Sequence, residues 1–303
     1  MNKHTGSVLL CILTLLIATG NAAIITTADD ENISAEQIEY ADSTLIITTG
    51  TETTRLDRSR IKNISFTAQK RTAEEFTTDS ADLAEILPKA RAMLASYPDA
   101  QSLLVTEEGN YQHRKDGTNL SRYRCVTYLA QDESLWEAQI SLSFDPNRET
   151  IKILHARSYS PDGAVHTLSP DQIKISKGTS GSVYFDQYQD LSFTIPEAAV
   201  GGLIDYCYEI EEFNPFDRNL FQGRFYFQGS QPVGESVLRV SVPHDKALHF
   251  VTNNIASGSA EPEKLEAVDS VIYTWRFTDL APIISEPYMP AYRDIVPAVY
   301  YSL

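Results

Sequence analysis

From Leu103 to Phe277 the chain repeatedly alternates apolar with polar residues. The pattern is cleanest in Arg122–Leu129 (RYRCVTYL), Gln139–Phe144 (QISLSF), Leu203–Ile210 (LIDYCYEI) and Val271–Phe277 (VIYTWRF). Successive side chains of a strand point to opposite faces, so a period of two marks strands with one buried face. Further strands are expected at Thr44–Thr48, Ile61–Phe66, Leu103–Thr106, Asn110–Arg114, Ile151–Tyr159, Leu191–Ile195, Arg224–Gln228, Val237–Val242 and Leu248–Val251. Turn material separates them: Lys115-Asp116-Gly117, Asp145-Pro146-Asn147 and Ser160-Pro161-Asp162-Gly163. Short strands punctuated this often predict a mainly β chain built as a sandwich rather than an α/β sheet.

One helix stands apart. Leu83, Ile86, Leu87, Ala90, Met93 and Leu94 recur at helical spacing behind a cap at Asp79 or Ser80, and Pro88 predicts a kink or two short helices meeting there. At the other end, Glu286–Leu303 (EPYMPAYRDIVPAVYYSL) carries three prolines. Proline fits neither a helix interior nor a central strand, so this segment reads as a connecting tail. The expected divisions are 1–23, 24–78 with short strands, 79–285 as the sandwich and 286–303 as the tail.

Lys3 and His4, the apolar run Val8–Ile17 and the small residues through Ala23 have the layout of a secretory signal peptide. Cleavage is expected near Ala22 or Ala23, with a lipid anchor at Cys11 or an uncleaved anchor as alternatives. Formal net charge is −16 and becomes −17 once Lys3 leaves. So acidic a chain repels phosphate backbones and anionic lipid, which argues against nucleic-acid and membrane-surface partners. The exception, Arg55, Arg58, Arg60 and Lys62, reads as a solvated strand face.

The alternation assigns faces as well as strands. Ile204, Tyr206, Tyr208 and Ile210 point to a core, while Asp205, Cys207 and Glu209 share the polar face. Cys125 falls on an apolar face, which disfavours a bridge between the two mature cysteines.

Several stretches together resemble a bacterial domain of unknown function that precedes transglutaminase-like domains in exported proteins. They are YPDAQSLLVTEEGNY, RYRCVTYL, SYSPDGAVHTLSPDQIK, IPEAAVGGLIDYCYEIEE, FYFQGSQPVGESVLRVSVP and EPYMPAYRDIVPAVYYS, in that order across residues 97–303. The resemblance implies an immunoglobulin-like antiparallel β-sandwich with one kinked helix near residues 80–96 and a small N-terminal β segment. It also implies a bacterial, exported setting in the periplasm or outside the cell. A papain-like, transglutaminase-like cysteine hydrolase becomes the expected partner, as a domain or a separate protein.

No catalytic, metal or cofactor residues are assigned. A nucleophilic cysteine needs a helix N-terminus or a neighbouring base to lower its pKa, and Cys125 and Cys207 both sit in strands. His113, His155, His166, His244 and His249 form no metal-ligand spacing and read as surface or strand-face residues. Tyr184, Phe185 and Tyr188 in one loop, and Phe213 and Phe216 in another, are candidate contacts for a glycan, a peptide or a partner protein. Glu286, Tyr288, Arg293 and Asp294 are candidates to clip the tail onto the sandwich. The expected function is a non-catalytic exported module accessory to a transglutaminase-like hydrolase. A free-standing glycan- or peptide-binding protein and a truncated front part of such an enzyme are the alternatives.

Overall fold

The computed structural model describes residues 23–35, 37–41, 44–66, 81–177 and 188–303. The chain is mainly β and divides into two compact units, Met1–Thr72 and Ala73–Leu303. The signal-peptide segment lies almost wholly outside the described residues, as do Tyr184 and Phe185.

The first unit holds strands β1 (Ala23–Thr27), β2 (Asn32–Ala35), β3 (Gln37–Ala41), β4 (Thr44–Thr49), β5 (Glu52–Asp57) and β6 (Ile61–Phe66). They form two antiparallel sheets ordered β2-β1-β6 and β3-β4-β5. Ile25, Ala35, Leu45, Ile47 and Leu56 make its core. Arg55 in β5 and Lys62 in β6 are exposed on strands as expected, whereas Arg58 and Arg60 are exposed in a 3-10 turn between those strands; Arg60 pairs with Asp29 and Lys62 with Asp30.

The second unit opens with α1 (Ala81–Ser96), a single helix that contains Pro88. Strands follow at β7 (Ser102–His113), β8 (Asn119–Leu129), β9 (Gln139–Phe144), β10 (Glu149–Tyr159) and β11 (Val165–Thr167). Next come β12 (Lys174–Lys177), β13 (Gln189–Thr194), β14 (Leu203–Glu212), β15 (Gln222–Tyr226) and β16 (Val233–Pro243). The last are β17 (His249–Asn253), β18 (Glu263–Glu266), β19 (Ser270–Leu280), a single helical turn α2 (Tyr292–Ile295) and β20 (Ala298–Ser302).

Eight of these strands form one long sheet, ordered β11-β10-β14-β8-β7-β16-β19-β18. Every pair in it is antiparallel except β16 with β7. Two three-stranded sheets, β12-β13-β9 and β15-β20-β17, pack on one face of it. The first encloses a core that includes Phe144, Leu191 and Phe193 against Ile153, Ala156 and Ile204. The second encloses Phe225, Val299 and Tyr301 against Leu238, Val240 and Trp275. This is a sandwich layout in which one layer is split in two.

Helix α1 covers one end of the opposite face. Leu83, Leu87 and Ala90 pack on Leu103, Val105, Val126, Tyr128 and Leu203. Among the described residues no helix is long and apolar enough to cross a membrane.

Two expectations change. The strands expected at Leu103–Thr106 and Asn110–Arg114 are one continuous strand, β7. Glu107-Glu108-Gly109 looks like a break, yet Glu107 turns inward to receive the Tyr123 hydroxyl at 2.6 Å and the Ser236 hydroxyl at 3.0 Å. Buried polar groups persist in a sheet when their hydrogen bonds are made, as here. The second change concerns the C-terminal segment. After its last proline, Pro297, it forms β20, the central strand of β15-β20-β17, with Ala298 and Val299 fully buried. The prolines precede the strand and do not enter it.

The turns behave as their residues dictate. Gly117 closes the β7–β8 hairpin at φ +80°, and Asp116 Oδ1 accepts the Thr118 N–H at 2.9 Å. Gly163, at φ +95°, occupies the left-handed region after Pro161-Asp162.

Candidate functional site

The face of the long sheet opposite the two cores carries a charged cluster centred on Asp205. In β14, Asp205, Cys207 and Glu209 share that face. Arg122 and Arg124 of β8 lie beside them, since Asp205 pairs with Val126 and Cys207 with Arg124 in register. On the other side, β10 would send His155 and Arg157 inward with Ile151 and Ile153. A β-bulge between Ile153 and His155 resets its phase, so Ala156 faces the core and His155 and Arg157 face Asp205. A bulge that redirects a side chain is a recurrent way to build a local site.

Asp205 is fully buried and its carboxylate is densely bonded. Arg157 donates to Oδ2 from Nη2 at 2.9 Å and from Nε at 3.2 Å. Arg124 donates from Nε to Oδ1 at 3.1 Å and from Nη2 to Oδ2 at 3.2 Å. His155 Nε2 lies 3.0 Å from Oδ1. Burial alone would raise this carboxyl's pKa. The hydrogen bonds and charges of His155 and Arg124 outweigh it and hold Asp205 well below the usual carboxylate range. Further along the same face run Arg122–Glu209 at 2.8 Å and Arg239–Glu108 at 3.1 Å, with Arg276 paired to Glu235.

Cys207, His155 and Asp205 are the residue types of a cysteine-hydrolase triad, and they lie on one face. Their geometry does not make one. No hydrogen bond joins His155 to the Cys207 thiol among the described residues, and His155 spends Nε2 on Asp205. Burial pushes the Cys207 thiol up to about 11. At pH 7 the thiol is therefore held in its protonated, unreactive form. Cys125, on the inner face, is pushed by burial up to about 12, and its sulfur lies 3.6 Å from the Thr127 hydroxyl. Both thiols are free and buried.

The residues picked out from the sequence fall elsewhere. Tyr188 is partly exposed, and Phe216 is 82% exposed with the Arg148 guanidinium 5.2 Å from its ring centroid. Phe213 is half-buried, and its loop is tied to the β9–β10 turn by the Phe213 N–H donating to Arg148 O at 3.0 Å. In the tail, Glu286 and Tyr288 are exposed, and Arg293 meets Asp294 at 3.7 Å rather than reaching across to the sandwich. The anchoring is instead by β20 and by backbone: Asn254 Nδ2 donates to Asp294 O at 2.8 Å, and the Tyr292 hydroxyl to Gln228 O. His113, expected on a surface or strand face, is buried, with Nδ1 2.8 Å from Asn119 Oδ1. No cluster of histidine, cysteine, aspartate or glutamate among the described residues has the arrangement of a metal site.

Sequence reasoning missed the Asp205 cluster, although the alternation had already placed Asp205 and Cys207 on the polar face. Three neighbouring strands, RYR, HAR and IDYC, each offer charge at that level. Only the bulge in β10 and the strand order bring them together.

No curated protein matches this chain. Among solved structures, a putative protease from Parabacteroides distasonis ATCC 8503 superposes with a TM-score of 0.62 at 14% identity, covering 67% of this chain and 40% of that one. An M1 zinc metallopeptidase from Deinococcus radiodurans gives a TM-score of 0.33 at 10% identity, over 66% of this chain and 42% of that one. The chain thus spans less than half the length of either structure. At these identities the first likeness bears on fold alone, and the second is too weak to carry an argument. A family model matches residues 115–284, more than half of the sequence. This chain therefore belongs to the family described as "Domain of Unknown Function with solved-structure structure (DUF3857)".

Proposed function

We propose that this chain is a non-catalytic, exported β-module that positions a transglutaminase-like cysteine hydrolase, or presents substrate to it. The observation that carries this reading is the state of the two thiols. Each lies in the middle of a strand, buried, with its pKa raised by burial. Cysteine hydrolases need the opposite, a partly exposed thiol with a depressed pKa and a base in contact. What the chain does possess is a rigid long sheet with ion pairs spread across one face. Such a surface suits positioning more than bond-making. The shared fold with part of a larger putative protease is in keeping with a module that works beside a hydrolase.

The test uses residues 24–303, purified, with casein and fluorogenic peptides as substrates. No turnover is expected from this chain alone. Added to a transglutaminase-like hydrolase encoded beside its gene, it is expected to raise that enzyme's kcat/KM severalfold. Turnover by the isolated chain that disappears in Cys207→Ser would sink the reading.

A further inference from the structure

The outer face of the β15-β20-β17 sheet differs from the rest of the molecule in charge. In register across it run three rows: Gln222–Ser302–His249, Arg224–Tyr300–Val251 and Tyr226–Ala298–Asn253. None of these nine residues is acidic, in a chain with 41 acidic and 25 basic side chains. Their neighbours on the strands, Phe225, Val299, Phe250 and Tyr301, point the other way into the core, so the first two rows are turned outward, while Ala298 in the third row is buried. A trough of about 540 Å³ crosses it between the first two rows. That volume lies within the usual range of roughly 300–1,000 Å³ for ligand sites.

Tyr300 stands at the centre. Its ring and that of Tyr226 meet edge-on, with centroids 6.4 Å apart and planes at 88°. Arg224 lies over the Tyr226 ring at 5.8 Å, and no carboxylate contacts its guanidinium among the described residues. Asn253 Nδ2 donates to Arg293 O at 3.2 Å, fixing that segment beside the face. Arg293 shares its charge with Asp294 at 3.7 Å, which leaves Arg224 as the uncompensated cation. Val251, 68% exposed, supplies an apolar floor next to the ring.

We propose that this face binds an acidic oligosaccharide, a chain of sugar rings bearing carboxylates. Charge selects an anion: Arg224 offers a bidentate fork and His249 a second donor, with no acid opposing them. The hydrogen-bonding inventory selects sugar over peptide. The backbone N–H and C=O groups of the central strand are consumed by the ladders to β15 and β17. What remains outward is side-chain amide, hydroxyl, imidazole and guanidinium, which match hydroxyls and carboxylates. An extended peptide could not add to this sheet as a further strand, because both ladders of the central strand are already filled. The Tyr300 and Tyr226 rings give a C–H-rich sugar face something to rest on. This inference stands independently of the accessory role proposed above.

The experiment is isothermal titration of residues 24–303 with oligogalacturonate, with neutral dextran oligomers and polyglutamate as parallel probes. Saturable binding of oligogalacturonate alone is expected. Arg224→Gln, at an exposed position that leaves the fold intact, is expected to weaken it at least tenfold, and Tyr300→Ala similarly. Tyr300→Phe keeps the ring and is expected to retain most of the affinity. Absence of saturable oligogalacturonate binding overturns the proposal. So does equal binding of polyglutamate, or binding untouched by Arg224→Gln.

Discussion

The Arg157 guanidinium approaches the Asp205 carboxylate from Nε and Nη2 together, both reaching Oδ2, with Arg157 4% exposed and Asp205 fully buried. Removing one partner of a buried ion pair costs about 3–5 kcal/mol. Asp205→Asn keeps the shape and removes the charge. It is expected to lower the melting temperature of the second unit by on the order of 10 °C. Arg122→Gln breaks a more exposed pair with Glu209 on the same face and is expected to cost less than about 1 kcal/mol. Thermal unfolding followed by circular dichroism separates the two.

Acidification tests the same residue from another side. The folded state holds the Asp205 pKa below its unfolded value of about 3.9. Its stabilisation is therefore complete above about pH 4 and is lost as pH falls through the lower folded value. Glu107 has the opposite sign. Burial raises its pKa, against the pull of hydrogen bonds from Tyr123 and Ser236, so the folded state favours the protonated acid. Stability from Glu107 is present below its unfolded value, about 4.3, and declines as pH rises through the folded one. Urea unfolding from pH 2 to pH 7 is expected to show the onset of the first arm and the second arm. Asp205→Asn should flatten the acidic arm and Glu107→Gln the upper one. An unchanged upper slope in Glu107→Gln would remove that residue from the account.

The sequence made much of this fold readable because period two is a local signal. Ile204, Tyr206 and Tyr208 contribute to the core around β14, and Asp205 and Cys207 lie opposite, as the alternation of LIDYCYEI predicts. The readable part ended where strand order and irregularity took over. His155 and Arg157 reach Asp205 only because β10 bulges, and a bulge leaves no period of its own. The continuity of β7 through Glu107 depends on Tyr123 and Ser236, which come from other strands. Likewise β20 was hidden behind its prolines, since its partners β15 and β17 lie far back in the sequence. The outward face around Tyr300 could not be recognised until that strand had been placed.

Gly109 offers a steric test of how tightly the split layer packs. It lies mid-strand in β7 beneath the β15-β20-β17 sheet, and an added Cβ would come within 2.6 Å of the Phe225 ring and 2.8 Å of the Tyr111 ring. Both rings belong to one packed core, so neither yields without strain. Gly109→Ala is expected to destabilise by about 1–3 kcal/mol despite removing a flexible glycine from a strand. Pairing it with Phe225→Leu should recover part of the loss, measured as non-additivity in a double-mutant cycle. Simple additivity would show that the contact is relieved elsewhere.

The thiols give the last test, one that bears on catalysis. Cys125 is 7% exposed and Cys207 5%, and burial pushes their pKa values up to about 12 and about 11. Thiolate is the reacting species in disulfide exchange, so low exposure and a raised pKa both slow it. Ellman's reagent at pH 7.5 is expected to titrate neither thiol in the folded protein within an hour, and both at once in urea. The trace can be assigned with Cys125→Val and Cys207→Ser. A fast phase in the native protein that vanishes with Cys207→Ser would mean an accessible thiolate beside His155 and Asp205. The charged face would then have to be reconsidered as a reactive centre. A slow phase that follows the unfolding rate would instead place both sulfurs in the packing of the sheet, where reaction waits on opening.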